Sequence, residues 1–178
     1  MGRQDISKKI ALAGVGASIS LVFVTLSFFF RGFSITFNIL AAVGLMLPLS
    51  QKYYREAILA FVAAGGIAAI YATIYVLPFV MVTGSYTIAA IIFYEKKVKK
   101  IITYPIIAIY ASFVFFVFYR LLSFIFFPSL GFINDINMPA AGLYALLNFV
   151  FIMLFVLFDF GVVYLYKNLT PVINKITK

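Results

Sequence analysis

The 178-residue sequence contains no cysteine, no histidine and no tryptophan. Without cysteine the chain forms no disulfide and offers no thiol nucleophile, and nothing in the sequence indicates its redox compartment. The absence of histidine removes the commonest general base and a frequent metal ligand. Without tryptophan, aromatic packing has to come from the 12 tyrosines and 22 phenylalanines.

Acidic residues are also scarce: the five are Asp5, Glu56, Glu95, Asp135 and Asp159. Three of them adjoin basic clusters and are expected to be surface charges, Asp135 lies in a connection between helices, and only Asp159 falls within an apolar stretch. Catalysis requires acids, bases or metal ligands that converge on one point. The sequence therefore predicts no catalytic residue, no metal site and no cofactor, and the protein is not expected to be an enzyme.

Apolar residues are abundant instead, at 65% of the chain against 11% charged residues. A soluble domain has roughly 45–50% apolar and about 25% charged residues, so this chain carries more apolar surface than a water-soluble fold can bury. The apolar stretches are continuous, whereas the strands of a membrane barrel alternate between apolar and polar residues. Both features predict helices in a bilayer, where each segment must satisfy its own backbone hydrogen bonds.

Six apolar segments come close to the length of about 20 residues that a helix needs to cross a bilayer. They cover residues 10–30, 33–49, 57–77, 79–94, 101–127 and 140–166, of which the second and fourth are the shortest. All six prolines fall at or near the ends of these segments, where a missing N–H costs least. The sequence thus predicts one transmembrane domain over residues 1–178, an all-α bundle of six membrane-spanning helices.

The lysines and arginines predict the orientation of this bundle. If both termini are cytoplasmic, 12 of the 14 basic residues fall on the cytoplasmic side, and only Arg31 and Arg120 remain on or toward the outside. Cytoplasmic loops of membrane proteins carry such an excess. The basic residues therefore indicate a topology with both ends inside and the lipid bilayer as partner, and nucleic acid is not an expected partner.

Arg120 and Asp159 are ionisable residues within apolar segments, where charge is costly and usually functional. Arg120 lies about 28 Å along the fifth segment, toward the outside, whereas Asp159 lies roughly 12 Å from the cytoplasmic end of the sixth. At such different depths the two are not expected to pair. Arg120 either extends to the outer interface or contacts an anion or polar ligand inside the bundle, and Asp159 has no predicted partner.

Further polar and aromatic residues are predicted in the outer half of the bundle. Aromatic walls with a few polar anchors are typical of small-molecule sites. The candidate substrate-binding residues are Arg120, Asn148, Tyr86, Tyr75, Tyr119, Tyr144 and Asn38. The alternative is structural, because tyrosines at such depths form interfacial belts and single asparagines bond between helices.

Small residues recur every four positions in the first helix, with Ala13 and Ala17 on one face and Gly16 and Ser20 on a neighbouring face. Residues four apart share a helix face, and small ones let another helix approach closely. Ala13, Ala17 and Gly16 are therefore candidates for a partner interface. Packing within the same chain is the alternative.

Two stretches of sequence bear on the family. The lysine-led first helix carries Ala-Gly-Val-Gly-Ala at residues 13–17, and Gly-Leu-Met-Leu-Pro at residues 44–48 precedes a basic turn and Ala-Ala-Gly-Gly at residues 63–66. Together with the chain length and the six helices with both ends inside, these motifs resemble the substrate-binding (S) component of energy-coupling-factor vitamin transporters.

The resemblance implies that the chain binds a vitamin or related micronutrient near the outer face of a prokaryotic plasma membrane, where Arg120 and Asn148 are predicted. It also implies that Ala13 and Ala17 dock on a transmembrane coupling subunit and that two cytoplasmic ATPase subunits supply the energy. The chain itself has no Gly-xxxx-Gly-Lys-Ser/Thr phosphate loop, which agrees with that division of labour. Stacking on the vitamin would come from tyrosine or phenylalanine, since no indole is present.

Two other classes of protein remain as alternatives. A structural membrane scaffold, such as a small multi-helix protein of the rod-shape cell-wall elongation machinery, has a similar size and hydropathy and would bind no small molecule. A lipid-modifying enzyme is disfavoured by the missing histidine and cysteine and would depend on Asp159.

Overall fold

The structure, a computed structural model, describes residues 3–126 and 140–176. These residues form six α-helices and, in this described part, no strand, which confirms the predicted all-α fold. The α-helices are α1 (Arg3–Phe29), α2 (Ser34–Ser50), α3 (Tyr54–Ala72), α4 (Ser85–Glu95), α5 (Lys100–Phe126) and α6 (Ala140–Ile176). The predicted connection at residues 128–139, which contains Asp135, lies outside the described residues, as do Phe127 and Lys178.

Among the described residues, six helical segments are long and apolar enough to cross a membrane. They are Ile6–Phe29, Arg31–Ser50, Tyr54–Val76, Pro78–Glu95, Lys100–Leu121 and Ala141–Lys175. These segments match the predicted ones in number and order. The orientation with both ends inside stays a prediction.

The third and fourth spans depart from regular α-helix. Thr73 has a φ of +44°, which ends α3, and a 3-10 helix (Thr73–Val76) and a π-helix (Pro78–Gly84) follow before α4 begins. Gly84 closes the π-helix beside Phe61, since an added Cβ at Gly84 would lie 2.7 Å from the Phe61 ring. Glycine therefore permits this close approach, and the widened turn brings the chain into α4 without a loop.

Helix α6 continues to Ile176, beyond the predicted end of the sixth span at residue 166. Ile173 is 7% exposed, and the Gln51 side-chain amide donates a 2.6 Å hydrogen bond to the Asn174 amide oxygen. These contacts pack the last turns of α6 against the compact unit that contains α1–α4.

The chain divides into two compact units. The first contains Met1–Lys97 and Gly161–Lys178, and the second contains Val98–Phe160. Helices α1–α4 belong to the first unit and α5 to the second, while α6 contributes a part to each.

An antiparallel crossing of α1 and α2 lies at the centre of the first unit. The crossing point is Gly16 against Gly44, where an added Cβ at Gly44 would lie 2.6 Å from the Gly16 carbonyl oxygen. One turn further along α1, the Ser20 hydroxyl donates a 2.7 Å hydrogen bond to the Ala41 carbonyl oxygen. Small residues on both helices thus bring the two backbones into contact.

Polar contacts connect three helices at the end of the first unit where the α2–α3 turn lies. The Tyr166 hydroxyl lies 2.8 Å from Glu95 Oε1 and 3.2 Å from the Leu49 carbonyl oxygen. Lys52 Nζ lies 3.7 Å from Glu95 Oε2. These bonds connect the last turn of α2, the end of α4 and α6.

Candidate functional site

An aromatic cluster joins α5 to the beginning of α6 within the second unit. The Phe115 ring contacts the rings of Tyr119, Tyr144 and Phe151 at centroid distances of 6.1, 5.2 and 5.6 Å. Tyr119 and Tyr144 also meet edge to face, 5.1 Å apart with an interplanar angle of 82°. Edge-to-face pairs of this kind contribute about 0.5–1.5 kcal/mol beyond their buried area.

Asn148 lies on the α6 face that this cluster occupies. It is four residues after Tyr144 and three before Phe151, and such spacings place side chains on one face of a helix. The Asn148 side-chain oxygen is buried and accepts no hydrogen bond in the described part of the chain. The structure thus brings the predicted residues Tyr119 and Tyr144 together, and Asn148 lies on the same face of α6 as Tyr144.

Arg120 occupies the neighbouring face of α5. The residue is exposed, and its guanidinium carbon lies 5.3 Å from the centroid of the Phe116 ring. The Phe116–Arg120 stripe is about 100° around the helix from the Phe115–Tyr119 stripe. The cation therefore borders the aromatic cluster and is not enclosed by it.

The other three candidate substrate residues lie in the first unit. The Asn38 amide nitrogen donates to the Ser34 carbonyl oxygen at 2.8 Å, and its side-chain oxygen is buried and accepts no hydrogen bond from the described residues. Tyr75 lies against the Phe28 ring and under the Arg31 guanidinium, at centroid distances of 5.6 and 5.1 Å. Tyr86 is 4% exposed. The seven candidates are thus divided between the two units, and a common pocket for all of them stays a prediction.

The small residues of α1 differ in their surroundings: one packs against α2, and the others are half-buried or exposed. Gly16 packs against α2, a contact within the same chain, which is the alternative to a partner interface at this glycine. Ala13 and Ala17 are only half-buried. Gly14 is exposed, and an added Cβ there would meet nothing within 4 Å. A partner interface at Ala13, Ala17 and Gly16 stays a prediction.

Two residues with buried hydroxyls, Thr83 and Thr87, are not among the site residues predicted from the sequence. Thr83 and Thr87 are 5% and 0% exposed, and their hydroxyl oxygens make no hydrogen bond within the described residues. Two threonines four residues apart inside an apolar span are visible in the sequence. A threonine hydroxyl in a helix usually bonds to a backbone carbonyl of its own helix, so the sequence does not indicate that these hydroxyls lack such a bond.

Metal ligands show no comparable grouping. No group of three or more histidine, cysteine, aspartate or glutamate side chains that could hold a metal ion occurs in the described ranges.

The six helical segments of the described residues that are long and apolar enough to cross a membrane define the class: an α-helical, multi-pass membrane protein. No protein-family model, curated protein or solved structure matches the chain.

Proposed function

We propose that the protein is the membrane-embedded substrate-binding subunit of an uptake transporter of the energy-coupling-factor type, and that it carries a vitamin or related micronutrient. It has no catalytic activity of its own and works in the plasma membrane of a prokaryote, with both termini in the cytoplasm. The observation that carries this proposal is the buried Asn148 oxygen without a hydrogen-bond partner among the described residues.

A buried acceptor that makes no hydrogen bond costs about 1–3 kcal/mol, because it has lost water without replacement. A donor group on a bound ligand would offset that cost. The rings of Phe115, Tyr119 and Tyr144 would enclose the apolar body of the same ligand. Aromatic walls with few polar anchors are the usual composition of a small-molecule site.

Arg120 gives this site a charge preference. The guanidinium borders the aromatic cluster at an exposed position, where it attracts a ligand that carries a carboxylate or phosphate. Such a group is also what a planar guanidinium binds best. The substrate class that fits these side chains is a small anionic molecule with an aromatic or apolar body and a hydrogen-bond donor.

Transport by this chain requires partners, because its sequence has no nucleotide-binding loop. Half-buried Ala13 and Ala17, beside exposed Gly14, leave a smooth strip on α1 that a helix of a coupling subunit would approach closely. Two cytoplasmic ATPase subunits would then drive the cycle, as the sequence resemblance implies.

Native mass spectrometry of the protein in mild detergent tests the proposal. We expect a retained molecule of vitamin size, and thermal stabilisation of the protein by that molecule in a panel of vitamins. Asn148→Ala is expected to weaken binding roughly tenfold through the lost hydrogen bond. The matched control is Asn168→Ala on the same helix, at an exposed position.

Equal binding by both variants would remove Asn148 from the site. A protein that retains no small molecule and that no vitamin stabilises would contradict the proposal and favour the structural-scaffold alternative.

A further inference from the structure

A cavity of about 410 Å³ lies where the beginning of α1 meets the α2–α3 turn. Its walls include Lys9 from α1 and Lys52 and Arg55 from the turn and the start of α3. Aromatic and aliphatic walls come from Tyr53 and Ile10. These residues all belong to the first unit, and none of them belongs to the candidate substrate site.

The charge of the cavity wall is predominantly positive. Among the described residues that line it, Lys9, Lys52 and Arg55 are cationic and Glu56 is acidic. Lys52 also pairs with Glu95 at 3.7 Å, but its side chain is 71% exposed. An ion pair with so exposed a lysine is weak, so Lys52 remains able to share its charge with an anion in the cavity.

The N-terminus of α3 adds to this preference for an anion. The helix begins at Tyr54 and runs for 19 residues, and the N-cap residue Tyr53 makes no side-chain capping hydrogen bond. Tyr54, Arg55 and Glu56 supply the first backbone N–H groups of the helix and also line the cavity. Such N–H groups and the helix dipole favour a negatively charged group.

The remaining walls distinguish a lipid from a free anion. Ile6 and Ile10 line the cavity and are 49% and 66% exposed, and both stand at the start of the first apolar span. The Lys9 ammonium lies over the Tyr53 ring, 5.1 Å from its centroid. Apolar side chains beside a basic group at the end of a span match the boundary between acyl chains and headgroups.

We propose that this cavity binds the phosphate of an anionic phospholipid, with Lys9, Arg55 and the first turn of α3 around the phosphate and Ile6 and Ile10 against the acyl chains. The site is separate from the substrate site and does not depend on the transport function proposed above. It would fix this end of α1 and the α2–α3 turn at the membrane surface.

The test uses the full chain in mild detergent, with dioleoyl phosphatidylglycerol, dioleoyl phosphatidylcholine or inorganic phosphate as the added probe. We expect thermal stabilisation and adducts in native mass spectra with phosphatidylglycerol only. Removing a cationic side chain at a lipid-binding surface weakens binding roughly fivefold, so the double variant Lys9→Gln/Arg55→Gln should weaken phosphatidylglycerol binding about 25-fold.

The matched control, Lys96→Gln/Lys175→Gln, removes the same charge at two exposed positions outside the cavity wall. We expect it to bind within about twofold of the unaltered protein, because only local cations contact the phosphate. Arg55→Gln alone serves as the milder variant if the double variant loses its circular dichroism signal.

Three results would overturn the proposal. Equal weakening in the control would mean binding through net charge alone. Equal stabilisation by inorganic phosphate would identify a site for free anions, and equal binding of the two lipids would deny any role for the anionic headgroup.

Discussion

Lys100 and Asp159 form an ion pair between the first residue of α5 and the interior of α6, with Lys100 Nζ 3.4 Å from Asp159 Oδ2. The aspartate side chain is 2% exposed and the lysine side chain 55%. Lys100 Nζ also lies 5.5 Å from the ring centroids of Tyr104 and Phe160. The lysine thus extends along aromatic rings to neutralise a carboxylate that would otherwise be costly at this depth.

Because Asp159 is buried and Lys100 is half exposed, substitutions of the two residues should differ in their effect on stability. Lys100→Met removes the cation that pairs with the buried Asp159 carboxylate and should lower the free energy of unfolding by about 1–3 kcal/mol, less than for a fully buried pair because the lysine is half exposed. Asp159→Asn leaves an exposed lysine and a neutral amide, so it should cost less. Unfolding in detergent followed by circular dichroism measures both, and Lys99→Met at a neighbouring exposed position is the control. A greater loss from Asp159→Asn would reverse this explanation.

Glycines 14 and 44 should respond in opposite ways to the same added methyl group. Gly44→Ala forces a Cβ to within 2.5 Å of Ser20 Oγ and 2.6 Å of the Gly16 carbonyl oxygen, so α1 and α2 must separate. The expected loss is about 1–3 kcal/mol. Gly14→Ala meets no atom within 4 Å and should be neutral or gain up to about 1 kcal/mol from helix propensity. Equal melting temperatures for the two variants would show that the α1–α2 contact is not tight at Gly44.

The six helices could be predicted because a bilayer imposes a simple length on apolar segments, and charged residues such as Lys52 and Lys100 mark their ends. The break at Thr73 and the π-helix after Pro78 could not be predicted in the same way. Proline indicates a boundary, but the choice between a loop and a π-helix depends on how Gly84 packs on Phe61.

The candidate site was partly predictable for a similar reason. Spacings of four residues place Tyr144 with Asn148, but they do not reveal which α6 face meets Phe115 and Tyr119. The sequence does not predict the Lys100–Asp159 pair, because a lysine between two apolar segments indicates a charge at the membrane surface. The long Lys100 side chain reaches an aspartate more than a helical turn inside the span, and no sequence spacing records that reach.

The hydroxyl of Tyr166 should contribute more to the free energy of unfolding than the hydroxyl of Tyr164. Tyr166→Phe removes the contacts with Glu95 Oε1 and the Leu49 carbonyl oxygen, and the expected loss is about 1–3 kcal/mol because one partner is charged. Tyr164→Phe makes the identical change at a residue that is 69% exposed and should be nearly neutral. Unfolding of both variants in the same detergent gives the comparison. A neutral Tyr166→Phe would mean that water replaces the lost hydroxyl.

The strip formed by Ala13, Gly14 and Ala17 on α1 leads to a prediction about assembly with partner subunits, which stability measurements alone do not test. Ala13→Leu/Ala17→Leu adds bulk at two half-buried positions, so it should prevent a helix of the coupling subunit that we propose as partner from approaching α1, while the isolated protein stays folded. The matched control is Ala63→Leu/Ala69→Leu, which places the same bulk at two exposed positions of α3. Co-expression with the coupling subunit and ATPases of the source cell, followed by purification through a tag on this chain, measures assembly. We expect the control to co-purify with its partners and the α1 variant to purify alone. Retention of the partners by the α1 variant would exclude Ala13 and Ala17 from the interface, since two added leucines cannot be accommodated in a close helix contact.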